Sequence, residues 1–257
     1  MRLNSGLTQS AKRWLSVRIP ALDPTLLSVQ RRGMFPIRDH NPSGRTPYVV
    51  YGLMVANVLI FLSYASVLNE EHALYDLFGK WAMVPAGISN GMNYHTLVSS
   101  LFLHAGWMHL IGNMLFLWIF GDNLEDEMGH VRFLAFYLAC GIGAGLVHVL
   151  AAPYSNVLTV GASGAIAGVM GGYLLLFPRA RVDVLLIVII FFRIFAIPAW
   201  IVLAVWFSFQ FLGGLGSDPE AGGVAYWAHA GGFIIGLILV LHLWFRLGGQ
   251  RFWRQTQ

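Results

Sequence analysis

The sequence predicts an all-α polytopic membrane protein, a six-transmembrane-helix bundle, and three observations predict it. Of 257 residues, 57% are hydrophobic and 11% charged, with a mean hydropathy of +0.65; soluble domains carry about 25% charged residues. Six apolar segments, at 48–68, 104–121, 133–152, 159–177, 195–213 and 224–245, are long enough or nearly so to cross a hydrocarbon layer of roughly 30 Å. Threading them alternately through a bilayer leaves fifteen of the sixteen Lys and Arg residues on one side, with only Lys80 on the other. That asymmetry is the charge signature of a cytoplasmic face.

Residues 1–46 read as a basic cytoplasmic amino-terminal segment. Up to residue 47 the chain holds Arg2, Lys12, Arg13, Arg18, Arg31, Arg32, Arg38 and Arg45 against Asp23 and Asp39, a charge of +6, while the remainder carries −2. A basic tail beside a first span sets orientation. No aromatic-interleaved motif accompanies it, so the expected partner is the lipid bilayer and not nucleic acid. Pro20 and Pro24 break any long helix in this stretch, and no run of seven or more apolar residues resembles a signal-peptide core. The Arg-rich, acid-poor composition also fits a mitochondrial transit segment, which would place the protein in a mitochondrial inner membrane instead of a bacterial one. The plainer expectation is that Met34 is the natural start and residues 1–33 a dispensable extension.

Along the six-helix domain, 47–246, the second apolar segment ends in a cytoplasmic group containing Asp122 and Glu125. The third holds Cys140, the one cysteine; an internal disulfide is excluded and a small buried residue is the simple reading. The fourth is uncharged and rich in glycine. Residues 182–192 (VDVLLIVIIFF) are apolar, but eleven residues between Arg181 and Arg193 are too few to span as a helix; they are expected to lie along the membrane interface. The fifth segment is rich in aromatics that read as lipid-facing bulk, with a substrate gate as the sharper alternative. The sixth leads into a short basic cytoplasmic tail, 247–257.

Polar side chains inside spans are costly and usually functional. Ser163 lies in VGASGAIAGVMGGYLLLF, His229 in AYWAHAGGFIIGLILVLHLW, and His109 with Asn113 in HAGWMHLIGNMLFLWIF. The second, fourth and sixth segments all enter from the outer side, and His109, Ser163 and His229 each lie about four or five residues in. At 1.5 Å per residue they share one shallow level. Gly164, Gly168 and Gly172 recur every four residues, and Gly232 and Gly236 repeat the spacing. Small residues at that interval let helix backbones approach closely, which would bring Ser163 to His229. A serine hydroxyl needs a base to become a nucleophile, and a neutral histidine serves near pH 7. The backbone N–H of Ser163, with His109 and Asn113 one turn apart on a shared face, would stabilise an oxyanion. Asp122 and Glu125 lie a membrane thickness away, so the sequence offers a Ser–His pair without a third acidic member. His104, His109 and His148 have no H-E-x-x-H pattern or carboxylate at ligand spacing, and neither metal nor cofactor is expected.

At these residues the chain resembles the rhomboid family of intramembrane serine proteases, bacterial type. The matching elements are HAGWMHLIGN, GASG, AHAGG with the following Gly236, Glu125 in NLEDEMG, and the lead-in IRDHNPSGRTPY; together they cover about residues 34–245. The resemblance implies Ser163 as nucleophile, His229 as general base, and His109 and Asn113 as oxyanion donors. It further implies cofactor-free cleavage of single-span or polytopic membrane proteins in or near their transmembrane segments. Two positions depart from the family pattern: His95-Thr96 stands where a Trp-Arg pair is common, and Ala167 where an aromatic usually supports the histidine. A non-catalytic chaperone or binding member of the superfamily is one alternative. A small transporter is another, although no acidic residue lies near mid-span.

Overall fold

The computed structural model describes residues 32–188, 191–218, 220 and 222–255. Arg2, Lys12, Arg13, Arg18 and Arg31 of the basic tail, and the carboxyl-terminal Gln257, lie outside the described residues. In chain order the elements are β1 (Arg32–Asp39), α1 (Tyr48–Tyr64), α2 (Glu71–Trp81), α3 (Pro85–Ser89), α4 (Thr96–Ser99), α5 (Trp107–Met128), α6 (His130–Ala151), α7 (Ser163–Leu176), β2 (Arg181–Val188), β3 (Phe191–Pro198), α8 (Ala199–Gly216), α9 (Tyr226–Arg246) and α10 (Gln250–Gln255). Among the described residues, four helices are long and apolar enough to cross a membrane: Tyr48–Val67, His130–Ala151, Ala199–Gly216 and Tyr226–Arg246. The segment Thr96–Phe102 followed by Trp107–Met128, bent by 95°, would be a fifth. The protein is therefore a polytopic α-helical membrane protein.

The short helix is the central one. α7 has 14 residues and rises only about 21 Å. It packs against α9, α6 and α5, and every residue from Gly164 to Tyr173 is buried, as is Leu176. Enclosed by protein, its ends do not have to meet lipid, and irregular backbone is tolerated beside them. The packing rests on glycine. A Cβ added to Gly232 would collide with the carbonyl of Gly164, one at Gly236 with the carbonyl of Gly168, and one at Gly171 with the carbonyl of Phe233. α7 and α9 thus touch backbone to backbone, the closest approach two helices can make.

At the opposite end from Ser163, α5 ties the bundle together. Glu125, 1% exposed, accepts the Val49 and Val50 N–H groups at 2.8 Å each, so one carboxylate satisfies two orphan donors at the start of α1 and opposes its dipole. His130 Nδ1 lies 2.5 Å from the same carboxylate. Around it the lead-in is pinned: Ser43 Oγ donates to Asp122 at 3.0 Å, Gly44 N to Asp126 at 2.6 Å, and Asn123 Nδ2 to the Asn41 carbonyl at 2.6 Å. Gly129, alone between α5 and α6 and at φ 77°, makes the turn that an L side chain would strain. Past α9, α10 returns to the bundle, where Trp253 Nε1 donates to the Leu175 carbonyl at 2.8 Å.

The region 182–192, expected to lie along the membrane interface, takes part in a sheet: β2 and β3 form an antiparallel hairpin, and β1 adds to β2, giving the order β1-β2-β3. A run of Val, Ile and Phe too short for a spanning helix fits extended structure, where branched side chains pack well. Pro36, which cannot donate to a ladder, lies on an edge strand beside the irregularity between Pro36 and Arg38. The helix of the fifth apolar segment, α8, consequently begins at Ala199, after β3, and not at 195.

Candidate active site

Ser163 is the first residue of α7, so its N–H belongs to the turn that lacks intrahelical acceptors and carries the positive end of the helix dipole. The chain reaches it through Gly161, whose φ is +126° and whose N–H donates to the Ser100 carbonyl at 2.9 Å. A Cβ at Gly161 would come within 2.7 Å of His109 Nε2 and 3.5 Å of Ser163 Oγ. The absent side chain is thus the space that His109 and Ser163 both line.

His229 stands in the first turn of α9, one turn from the Gly232–Gly164 backbone contact. Its Nε2 is 2.7 Å from Ser163 Oγ, and its Nδ1 is 2.8 Å from Gln210 Oε1 on α8. An amide oxygen only accepts, so the ring proton sits on Nδ1 and Nε2 offers its lone pair to the serine hydroxyl. His109, in the first turn of α5, has the other tautomer. The Ala105 N–H donates to its Nδ1 at 3.4 Å, which leaves a proton on Nε2 facing the Gly161 space. Asn113, one turn deeper on the same helix, is 6% exposed, and its buried Nδ2 has no hydrogen-bond partner among the described residues. A buried donor left open is costly unless something accepts from it.

The structure therefore brings Ser163 to His229 and His109 to the space beside Ser163, with Asn113 supplying an unused donor on the same face of α5. Gln210 and Trp206 are site residues that the sequence reading missed. Trp206, one turn before Gln210, lies 5.9 Å from the His229 ring, tilted by 34°. Ala167 is fully buried in α7, and the aromatic neighbour of His229 comes from α8 instead. At the other departing position, His95 Nε2 lies 3.0 Å from the Lys80 carbonyl and its ring stands edge-on to Trp81, so this residue fastens the connection before α4 to α2. His104 is fully buried; its backbone N–H and carbonyl both bond the Tyr64 hydroxyl, at 2.7 and 2.9 Å, and its ring stands edge-on to His109. Among the described residues no group of three or more His, Cys, Asp or Glu side chains could hold a metal ion.

A serine and a histidine are thus hydrogen-bonded across two tightly packed helices of a polytopic membrane protein. Residues 91–246, more than half of the chain, match the Rhomboid domain family, and the chain belongs to that family. It is 44% identical over 75 residues to Rhomboid-like protein 11, chloroplastic, of Arabidopsis thaliana, covering 29% of this chain and 26% of the relative. It is 28% identical over 207 residues to Rhomboid protein 1, mitochondrial, of Saccharomyces cerevisiae, covering 77% and 53%. With the putative rhomboid protease YdcA of Bacillus subtilis it shares 39% identity over 88 residues, covering 34% and 43%. The chain thus spans between a quarter and about half of the length of these relatives.

Proposed function

We propose that this protein is an intramembrane serine endopeptidase that cleaves single-span or polytopic membrane proteins in or near their transmembrane segments. The observation that carries the reading is the 2.7 Å contact between His229 Nε2 and Ser163 Oγ, made with Nδ1 already engaged by an acceptor. Ser163 Oγ attacks the scissile carbonyl while His229 Nε2 takes its proton. The developing oxyanion receives the Ser163 N–H, the His109 Nε2–H and the Asn113 amide. His229 then returns the proton to the leaving amine, and water releases the acyl group by the same steps in reverse. The chain's own groups supply each proton transfer, without metal or cofactor.

The topology that fits this reading has six spans, counting α5 and the enclosed α7, with both termini cytoplasmic and the Ser163 end of the bundle toward the outside. Residues 47–246 form the catalytic domain, 1–46 the basic segment and 247–257 the cytoplasmic tail. A bacterial inner membrane is the favoured location, supported by the family-like lead-in and the Bacillus relative. Relatives whose names place them in mitochondria keep the mitochondrial inner membrane as the second location. Cysteine placed at Ser217 should react with an impermeant thiol reagent in intact cells, and one at Gln257 should not. Function is tested by reconstitution in liposomes with a panel of single-span proteins. Cleavage and fluorophosphonate labelling are expected for the native chain and for neither Ser163→Ala nor His229→Ala. Labelling that survives Ser163→Ala would refute the assignment, and a native chain that neither labels nor cleaves would indicate the non-catalytic binding member.

A further inference from the structure

We infer that Gln210 is a positioning residue for His229, a neutral third member of the pair that fixes which ring nitrogen faces Ser163. The inference rests on the reading of Ser163 and His229 as nucleophile and base. A neutral imidazole carries one proton on either nitrogen, and only a ring with a bare Nε2 can deprotonate Ser163. Gln210 Oε1, 2.8 Å from Nδ1, holds the proton on the far side of the ring. Without that acceptor, the ring gains by turning its N–H toward Ser163 Oγ, where the hydroxyl would accept a hydrogen bond and keep its own proton.

The position of Gln210 is itself defined. Trp206 precedes it by one helical turn and so lies on the same side of α8, with its ring 5.9 Å from the imidazole and tilted by 34°. α8 thus supplies a hydrogen bond through an amide and a ring contact through an indole. Three further ring pairs hold α8 against α9: Phe207 with Phe233 at 4.8 Å, Phe211 with Trp227 at 5.9 Å and Trp206 with Phe233 at 6.1 Å. The amide also suits the setting. A carboxylate in the same place would have to be desolvated next to lipid, which is expensive for an ionised group, whereas an amide orients the ring without a net charge. The titratable side chains that act on His229 are His109 of α5 and His148 of α6.

The test uses the full chain in liposomes with Gln210→Leu and Gln210→Glu. Leucine removes the acceptor at similar size, so kcat should fall roughly ten- to hundredfold, as for a buried donor that loses its partner, with KM unchanged. Glutamate restores an acceptor, so kcat should recover to within a fewfold of native. Its charge favours the protonated ring, which moves the acid limb of the pH–kcat profile to higher pH by about one unit. Native kcat in Gln210→Leu would overturn the proposal. So would failure of Gln210→Glu to rescue activity together with an unmoved acid limb, the pattern of a merely structural side chain. A second readout is independent of proteolysis: ¹⁵N NMR of ring-labelled histidine, with His229 assigned by its loss in His229→Asn. A protonated Nδ1 in the native protein that disappears in Gln210→Leu is expected, and an unchanged tautomer would refute the role. If the native chain cleaves nothing, the protease reading fails while the NMR result still decides the part played by Gln210.

Discussion

The two helices that frame His229 are opposites. α7, which carries Ser163, is buried along nearly its whole length and meets α9 through glycine backbones. α8, which carries Gln210 and Trp206, buries only Ala199, Leu203 and Gly214 and presents Phe209, Leu212 and Leu215 outward at 67, 63 and 63% exposure. α7 is held by carbonyls and α-carbons that cannot rotate away, α8 by aromatic side chains that can. The contrast teaches that the site has one rigid wall and one adjustable wall. Ser163 is set by the rigid one, and the orientation of His229 is set in part by the other.

The largest expected effect lies on the rigid wall. Ser163→Ala should lower kcat by a factor of roughly 10⁴ or more, as should His229→Ala, because members of such a unit are each indispensable. Neither change should lower stability, since alanine suits both helices. A stability loss in Ser163→Ala comparable with its activity loss would mean that the hydroxyl is structural. Next comes the packing itself. Gly236→Ala drives a Cβ into the Gly168 carbonyl, while among the described residues nothing lies within 4 Å of a Cβ added to Gly216 on α8. Gly236→Ala should therefore destabilise by roughly 3 kcal/mol, and Gly216→Ala should change stability by less than about 0.5 kcal/mol. Denaturation in mild detergent compares them, and equal losses would erase the distinction between the walls.

How far the sequence foretold these walls depends on what each is made of. The long helices lie where the apolar segments are, because a spanning helix needs about twenty apolar residues and has no alternative in lipid. GASG, HAGWMHLIGN and AHAGG marked Ser163, His109, Asn113 and His229, since a lone polar group in such surroundings stands out. Gln210 did not stand out. It is a single amide in the aromatic run AWIVLAVWFSFQF, nineteen residues from its partner, and nothing in that spacing tells an inward-facing glutamine from an outward one. The hairpin at 181–198 was hidden for another reason: a continuous apolar run is ambiguous between strand and helix by periodicity, and its third strand is about 150 residues away in the lead-in.

A smaller effect probes α5, the helix that lines the site beside the rigid wall. Among the described residues the buried Nδ2 of Asn113 has no hydrogen-bond partner, so Asn113→Ala removes a donor that costs energy in the resting protein and that the proposed mechanism uses only when an oxyanion forms. kcat should fall by an amount worth about 3 kcal/mol or less, with KM nearly constant, and stability should hold or rise slightly. A fall in stability with no change in kcat would move Asn113 from the site to the core.

The smallest effect tests how the rigid wall is moored at its far end. There the Tyr173 hydroxyl of α7 donates to Asp39 Oδ2 of β1 at 2.7 Å. Burial raises Asp39 from its ordinary value near 4 to about 6, with the neighbouring Asp122 adding to the rise and the Tyr173 hydrogen bond opposing it. The sign follows from proton binding. Between the unfolded and folded values the native state holds more protons than the unfolded chain, so this contribution is full below about pH 4 and is lost as pH rises through about 6. For a half-buried group the effect should be about 1 kcal/mol after solvent screening. The native protein should accordingly show a larger drop in thermal midpoint between pH 5 and pH 7.5 than Asp39→Asn does. Subtracting one pH dependence from the other removes the groups common to both proteins. Equal drops would show that Asp39 does not carry the penalty, and a larger drop in the variant would reverse its sign.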